Sequence, residues 1–122
     1  MRSPSLLASF RYAFEGLGHA FRTQRNFKIH CLIAALVAAV GLLLAVSAEQ
    51  WALLAMAIGL VFQAELANTA IEAIADRASP DHHPLAKVAK DCAAAGVLVT
   101  ALAAAVVGLL VFVPRIAALL AR

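Results

Sequence analysis

The sequence predicts an all-α integral membrane protein, with three transmembrane helices preceded by an N-terminal amphipathic surface helix. Three observations lead there. The 122 residues are 64% hydrophobic and only 14% charged, with mean hydropathy +0.90, too apolar for a soluble domain of this length. Three long apolar runs, each suited to crossing a ~30 Å hydrocarbon core, are separated by short polar connections. Ahead of them lies a stretch whose apolar residues recur at helical spacing, with charges on its other side. The chain reads as one domain over 1–122.

Residues 5–24 form the surface helix. Leu6, Leu7, Phe10, Phe14, Leu17 and Phe21 share one side, while Arg11, Glu15, His19 and Arg22 lie on or beside the other. Such a helix rides at the membrane surface on the side that holds its basic residues. Charges interrupt every apolar run before residue 29, so the N-terminus does not read as a cleaved signal.

The first span is expected over 29–46. Ser47-Ala48-Glu49-Gln50 is a polar turn, and Trp51 suits the interface where the second span, 51–77, begins. Ser79-Pro80-Asp81-His82-His83-Pro84 reads as a loop. A third span, 85–113, carries Lys87, Lys90 and Asp91 in its first turns, and Pro114 is expected to close it. Cys31 and Cys92 behave as small hydrophobes at the edges of apolar runs, with no disulfide or zinc spacing.

Basic residues set the orientation. Arg2, Arg11, Arg22, Arg25 and Lys28 precede the first span, the first connection has none, and Arg77, Lys87 and Lys90 flank the second. The positive-inside rule then puts the N-terminus and the His82-His83 loop in the cytoplasm and the C-terminus outside. The net charge of +3 fits topology and contact with anionic lipid rather than nucleic-acid binding.

The stretch Glu65-Leu66-Ala67-Asn68-Thr69-Ala70-Ile71-Glu72-Ala73-Ile74-Ala75-Asp76 stands apart on the second span. At about 100° per residue, Glu65, Asn68, Glu72 and Asp76 fall within an arc of roughly 80°, with Thr69 at its edge. Ionisable groups inside an apolar span cost free energy, and they persist where they face a bundle interior, a cavity or a partner. A purely structural helix–helix seam would need one or two polar groups, not three acids. Glu65 is the deepest, within about 10 Å of the inner edge of the core, and Asp76 reaches cytosolic water.

Acids, an amide and lysines at one membrane level suit phosphoryl transfer from a soluble cosubstrate to a lipid hydroxyl. Glu65 is placed for the base role and Glu72 for metal. The chain has no GxxxxGK[ST] loop, and Gly16-Leu17-Gly18 is too short to be a glycine fingerprint, so any nucleotide site is built otherwise. His19 and His30 are assigned no chemistry. His82 and His83 could cap the next helix, pack on a nucleotide, or be solvated.

These residues carry a resemblance. Glu65, Asn68, Ala70, Ile71, Glu72 and Asp76, followed by His83-Pro84-Leu85-Ala86-Lys87 and Lys90-Asp91, are similar to the signature of the small prokaryotic diacylglycerol kinase and undecaprenol kinase family. Phe10-Arg11-Tyr12-Ala13-Phe14-Glu15-Gly16-Leu17 and Arg25-Asn26-Phe27-Lys28-Ile29-His30 resemble its undecaprenol kinase branch in particular. The resemblance covers nearly the whole chain.

It implies a homotrimeric helical bundle of the bacterial inner membrane that uses Mg-ATP to phosphorylate a membrane lipid alcohol, undecaprenol or diacylglycerol, in sites composed between protomers. By position, it makes Glu65 the catalytic base, contacting the lipid, with Asn68 in support, and Glu72 a ligand of the Mg²⁺ on the phosphates. It places Lys90 and Asp91 on ATP, Asp76 beside the nucleotide, and Tyr12 with Asp81, His82 and His83 around the adenosine. Gln24 stands where some members have a second metal-binding glutamate, so either Gln24 ligates weakly or Glu15 or water completes the shell. Ala94, one turn beyond Lys90 on the lipid-proximal face, occupies a position that is polar in the diacylglycerol branch, and alanine points to undecaprenol.

Two readings from other classes compete. An ion or proton conduit lined by Glu65, Glu72 and Asp76 would not need Lys90-Asp91 opposite the acids, whereas a polyphosphate site would. A structural assembly subunit would account for the small interfacial residues but not the acids.

Overall fold

The computed structural model describes residues 5–79 and 83–121. Among them are four α-helices and no strand: α1 (Leu6–Thr23), α2 (Arg25–Leu43), α3 (Ala48–Ala78) and α4 (Pro84–Leu120). α2, α3 and α4 are each long and apolar enough to cross a membrane. α3 and α4 make the most extensive pairing, α2 lies more loosely on α3, and α1 touches both α2 and α3.

Local chemistry fixes where the helices start. Ser5 Oγ accepts from the Ala8 N–H at 3.3 Å to cap α1. Ser47 and Gln50 form a capping box at α3: Ser47 Oγ accepts from the Gln50 N–H, and Gln50 Oε1 accepts from the Ser47 N–H. His83 Nδ1 accepts from the Leu85 N–H at α4, and Pro84 occupies the first turn, where its missing donor costs nothing.

A single extended residue, Gln24 (φ −101°, ψ 113°), separates α1 from α2. Helix α2 begins at Arg25, ahead of the apolar run from which its span was read. Ala20 and Phe27, on either side of this joint, are both buried. α2 ends by donating the Val46 N–H to Gly41 O at 3.1 Å and the Ala45 N–H to Leu42 O at 3.2 Å, the paired closure of a Schellman turn. Ala45 adopts the left-handed conformation there, φ 49°.

A core cluster of Val46, Leu54 and Val111 fills this end of the bundle, flanked by Trp51 and Phe112. Trp51 does not simply lie in an interfacial layer. Its indole covers Gly41, where a Cβ would come within 2.6 Å of the ring.

Pro114 does not close the third span as its sequence position suggests, because α4 continues through it to Leu120. Proline removes one backbone donor, but membrane helices tolerate it where other groups take over the bonding. The next residue, Arg115, anchors the helix beyond the proline to other elements. Its Nη1 donates to Leu44 O at 2.9 Å and Ala45 O at 2.7 Å, and its Nε donates to Gln50 Oε1 at 2.8 Å. Two carbonyls at the end of α2 gain partners, and the helix beyond the proline is tied to the α2–α3 turn.

Little of the apolar surface is covered by the protein itself. Leu98, Val99, Leu102, Val106, Leu109 and Leu110 of α4 are all exposed, as are Leu6, Leu7, Phe10 and Phe14 of α1. Such faces suit lipid or further protein rather than water.

Candidate active site

The polar stripe of α3 is a gradient of solvation. Glu65 is 2% exposed, Asn68 and Glu72 are half-buried, and the Asp76 side chain is 66% exposed. The sequence places these residues on one helical face, and the helix runs that face from the bundle interior to the mouth of the α3–α4 hairpin.

At the inner end, His30 of α2 meets Glu65. His30 Nε2 lies 3.1 Å from Glu65 Oε1, yet the ring N–H is not aligned on that oxygen, and Oε1 makes no hydrogen bond. One turn away, the rings of Phe27 on α2 and Phe62 on α3 pack with centroids 5.3 Å apart, which fastens the two helices beside this contact. An apolar groove of about 530 Å³ between α2, α3 and α4 ends at His30.

Asn68 turns toward Glu72. Its Nδ2 donates to Glu72 Oε1 at 3.1 Å, so among the described residues its hydrogen bond is to the expected metal-binding acid and not to Glu65. Only the amide nitrogen can face a carboxylate, and Asn68 Oδ1 is left buried without a partner. Thr69, at the edge of the stripe, bonds back to Glu65 O at 2.9 Å and is satisfied within its own helix. Beside Asn68, a pocket of about 270 Å³ between α3 and α4 is walled by small residues, among them Ala64, Ala67, Ala93 and Gly96.

Two buried acceptor oxygens, Glu65 Oε1 and Asn68 Oδ1, therefore sit one turn apart with no aligned donor. Native proteins rarely leave such atoms unmet. A donor arriving from outside the chain, such as a hydroxyl, would satisfy them.

At the mouth, Lys90 Nζ of α4 lies 2.8 Å from Asp76 Oδ1, and Lys87 pairs with Asp91 along α4. Asp76 and Lys90 are thus brought together, while Asp91 faces its own helix neighbour. Tyr12 is exposed on α1, its hydroxyl 3.5 Å from the Arg11 guanidinium. Among the described residues no hydrogen bond joins it to the stripe. Ala94 is exposed on α4. Asp81 and His82 lie outside the described residues, and His83 is engaged in capping α4.

Among the described residues, no three His, Cys, Asp or Glu side chains cluster closely enough to hold a metal ion by themselves. The donors fit a hard cation that brings most of its own ligands, as Mg²⁺ does on polyphosphate. Asn68 steadies one oxygen of Glu72, and the Gln24 side chain makes no cap hydrogen bond that would occupy it.

The residue that sequence reasoning passed over is His30. A signal was present: His30 lies 17 positions before Ser47 and Glu65 lies 18 positions after it, so an antiparallel hairpin brings both to one depth.

A buried carboxylate facing an imidazole, below an ionic mouth in a bundle of apolar helices, defines a polytopic membrane protein with a chemically equipped interior. The family model for prokaryotic diacylglycerol kinase matches residues 11–112, and the chain belongs to that family. It is 44% identical over 119 residues to a diacylglycerol kinase of Synechocystis sp., covering 97% of this chain and 68% of that protein. It is 43% identical over 108 residues to an undecaprenol kinase of Bacillus subtilis, covering 88% of each. A diacylglycerol kinase of Escherichia coli K12 is 32% identical over 95 residues, 78% of each chain. The chain is a lipid kinase.

Proposed function

We propose that the protein transfers the γ-phosphate of Mg-ATP to the hydroxyl of undecaprenol at the inner face of the bacterial cytoplasmic membrane, acting as a homotrimer. The observation that carries this reading is the pair of buried, donorless oxygens on Glu65 and Asn68, set at the apolar end of a stripe that opens to solvent at Asp76 and Lys90.

In this reading Glu65 accepts the proton of the lipid hydroxyl as that oxygen attacks the γ-phosphorus. Asn68 holds Glu72, and its buried Oδ1 is free to accept from the same hydroxyl or from a water beside it. Lys90 and Asp91 contact the nucleotide, Asp76 holds the Lys90 ammonium toward it, and Tyr12, Asp81, His82 and His83 border the adenosine. Glu72 and Gln24 would hold Mg²⁺, which when bound neutralises phosphate charge. The uncovered apolar faces support assembly with further copies, and the distribution of basic residues supports a cytoplasmic N-terminus.

Undecaprenol is favoured by the match to the Bacillus subtilis undecaprenol kinase, which is even over both chains, and by Ala94 on the face next to the lipid. The Synechocystis relative supports the other acceptor, diacylglycerol, giving phosphatidic acid.

The deciding experiment measures γ-phosphate transfer from Mg-ATP to undecaprenol and to diacylglycerol in parallel mixed micelles, with wild type and Glu65→Gln. Transfer to undecaprenol that is lost in the variant is the expected result. Wild-type transfer by Glu65→Gln would remove the base role, and preference for diacylglycerol would replace the acceptor.

A further inference from the structure

Glu65 is enclosed. Its side chain is 3% exposed, and its neighbour Asn68 turns its amide nitrogen to Glu72. A carboxylate that accepts a proton in such a place must also lose it before the next cycle, and water does not reach it directly. The one titratable side chain from another helix at contact distance, among the described residues, is His30, with Nε2 at 3.1 Å and its own side chain 18% exposed.

The contact has the geometry of an outlet. The imidazole lies between the buried acid and the end of the apolar groove, 18% exposed, and its two nitrogens can bind and release protons at opposite ends of the ring. The ring N–H is off the line to Oε1, but rotation about the soft terminal torsion of histidine brings it on. Catalytic hydrogen bonds often align only when substrate is bound. The Phe27–Phe62 contact one turn away keeps α2 and α3 together while the ring moves.

We propose that His30 is a positioning residue that orients the Glu65 carboxylate and carries away the proton it collects. This rests on Glu65 being the base. The lipid O–H bond breaks toward Glu65 as the lipid oxygen bonds to the γ-phosphorus and the bond from that phosphorus to the ADP oxygen breaks, with its electron pair leaving on ADP. The imidazole that donates Nε2–H to the carboxylate first shifts its proton to Nδ1, then takes the Glu65 proton on the freed Nε2. Loss of the Nδ1 proton from the imidazolium to solvent restores the starting tautomer. Glu65 is left as the carboxylate, ready for the next hydroxyl.

The test uses the full chain in mixed micelles with Mg-ATP, comparing wild type, His30→Ala, His30→Gln and Glu65→Gln. Oligomeric state and helix content are checked for each. His30→Ala is expected to lower kcat by about 10²-fold, the lower range for a lost proton-transfer partner, with KM for ATP unchanged. Added imidazole restores part of the rate in His30→Ala and none in Glu65→Gln. His30→Gln keeps a donor for Glu65 but carries no proton, so it stays slow.

Wild-type kcat in His30→Ala would overturn the proposal. So would full recovery in His30→Gln, or a loss that imidazole leaves untouched. Absence of lipid phosphorylation by the wild type, or undiminished transfer by Glu65→Gln, would instead overturn the reading on which the proposal stands.

Discussion

Lys90 of α4 and Asp76 of α3 are 14 residues apart in sequence and 2.8 Å apart in space, so the two helices that form the hairpin are pinned by one ion pair at its mouth. Asp76 is well exposed and Lys90 partly so, and a pair this open to solvent adds little to stability. Its consequence is positional: the ammonium is held over the stripe. Lys90→Ala is expected to raise KM for ATP about tenfold or more, the scale of one lost charge-assisted hydrogen bond, while thermal unfolding in detergent stays unchanged. Asp76→Asn, which frees the lysine, should give a smaller rise. Steady-state kinetics over an ATP series measure both.

Asn68 reaches Glu72 with the only group of its amide that a carboxylate accepts. Asn68→Asp sets two repelling carboxylates at that distance and is expected to cut the rate by about 10²-fold or more at low Mg²⁺, with partial recovery as Mg²⁺ is raised. Asn68→Ala removes the donor without adding charge, and its loss should be smaller. A magnesium titration of the rate separates the two.

Gly41 gives way to Trp51. A Cβ at position 41 would lie 2.6 Å from the indole, closer than any real contact, and Trp51 belongs to the core packing at that end. Gly41→Ala is expected to destabilise the fold by about 1–3 kcal/mol through overpacking. Trp51→Phe in the same chain should relieve part of that loss, read as a recovery of Tm.

Ala45 holds a left-handed conformation that glycine adopts without a Cβ penalty. Ala45→Gly should therefore raise stability by about 1 kcal/mol. Arg115→Met should lower it by about 2 kcal/mol, because the carbonyls of Leu44 and Ala45 and the Gln50 amide lose charge-assisted partners. Neither residue is near the polar stripe, so unfolding curves should move while kcat does not.

The membrane spans and the stripe of Glu65, Asn68, Glu72 and Asp76 were legible because both rest on helical periodicity and on the cost of burying charge. That same cost explains why the stripe faces the interior at Glu65 and solvent at Asp76. Other features were hidden for a common reason. His30 on Glu65, Lys90 on Asp76 and Arg115 on the α2–α3 turn are contacts between helices, and no single-helix pattern contains them. Pro114 misled because it is a reliable stop in water, whereas here the chain beyond it is anchored by the next residue. The pairing of Asn68 was a choice between two acids on its own face, three and four residues away, which spacing alone leaves open.

The lone extended residue between α1 and α2 has a mechanical consequence. With only Gln24 outside helical conformation, the surface helix is attached to the first span as a short lever rather than by a tether. Helix α1 has 18 residues, about 27 Å of length, so a 5° change in the tilt of α2 carried across the joint moves its far end by about 2 Å. Tilting is one of the ways a span accommodates a change in hydrocarbon thickness. The height of α1 over the membrane is thereby coupled to the lipid in which the protein sits.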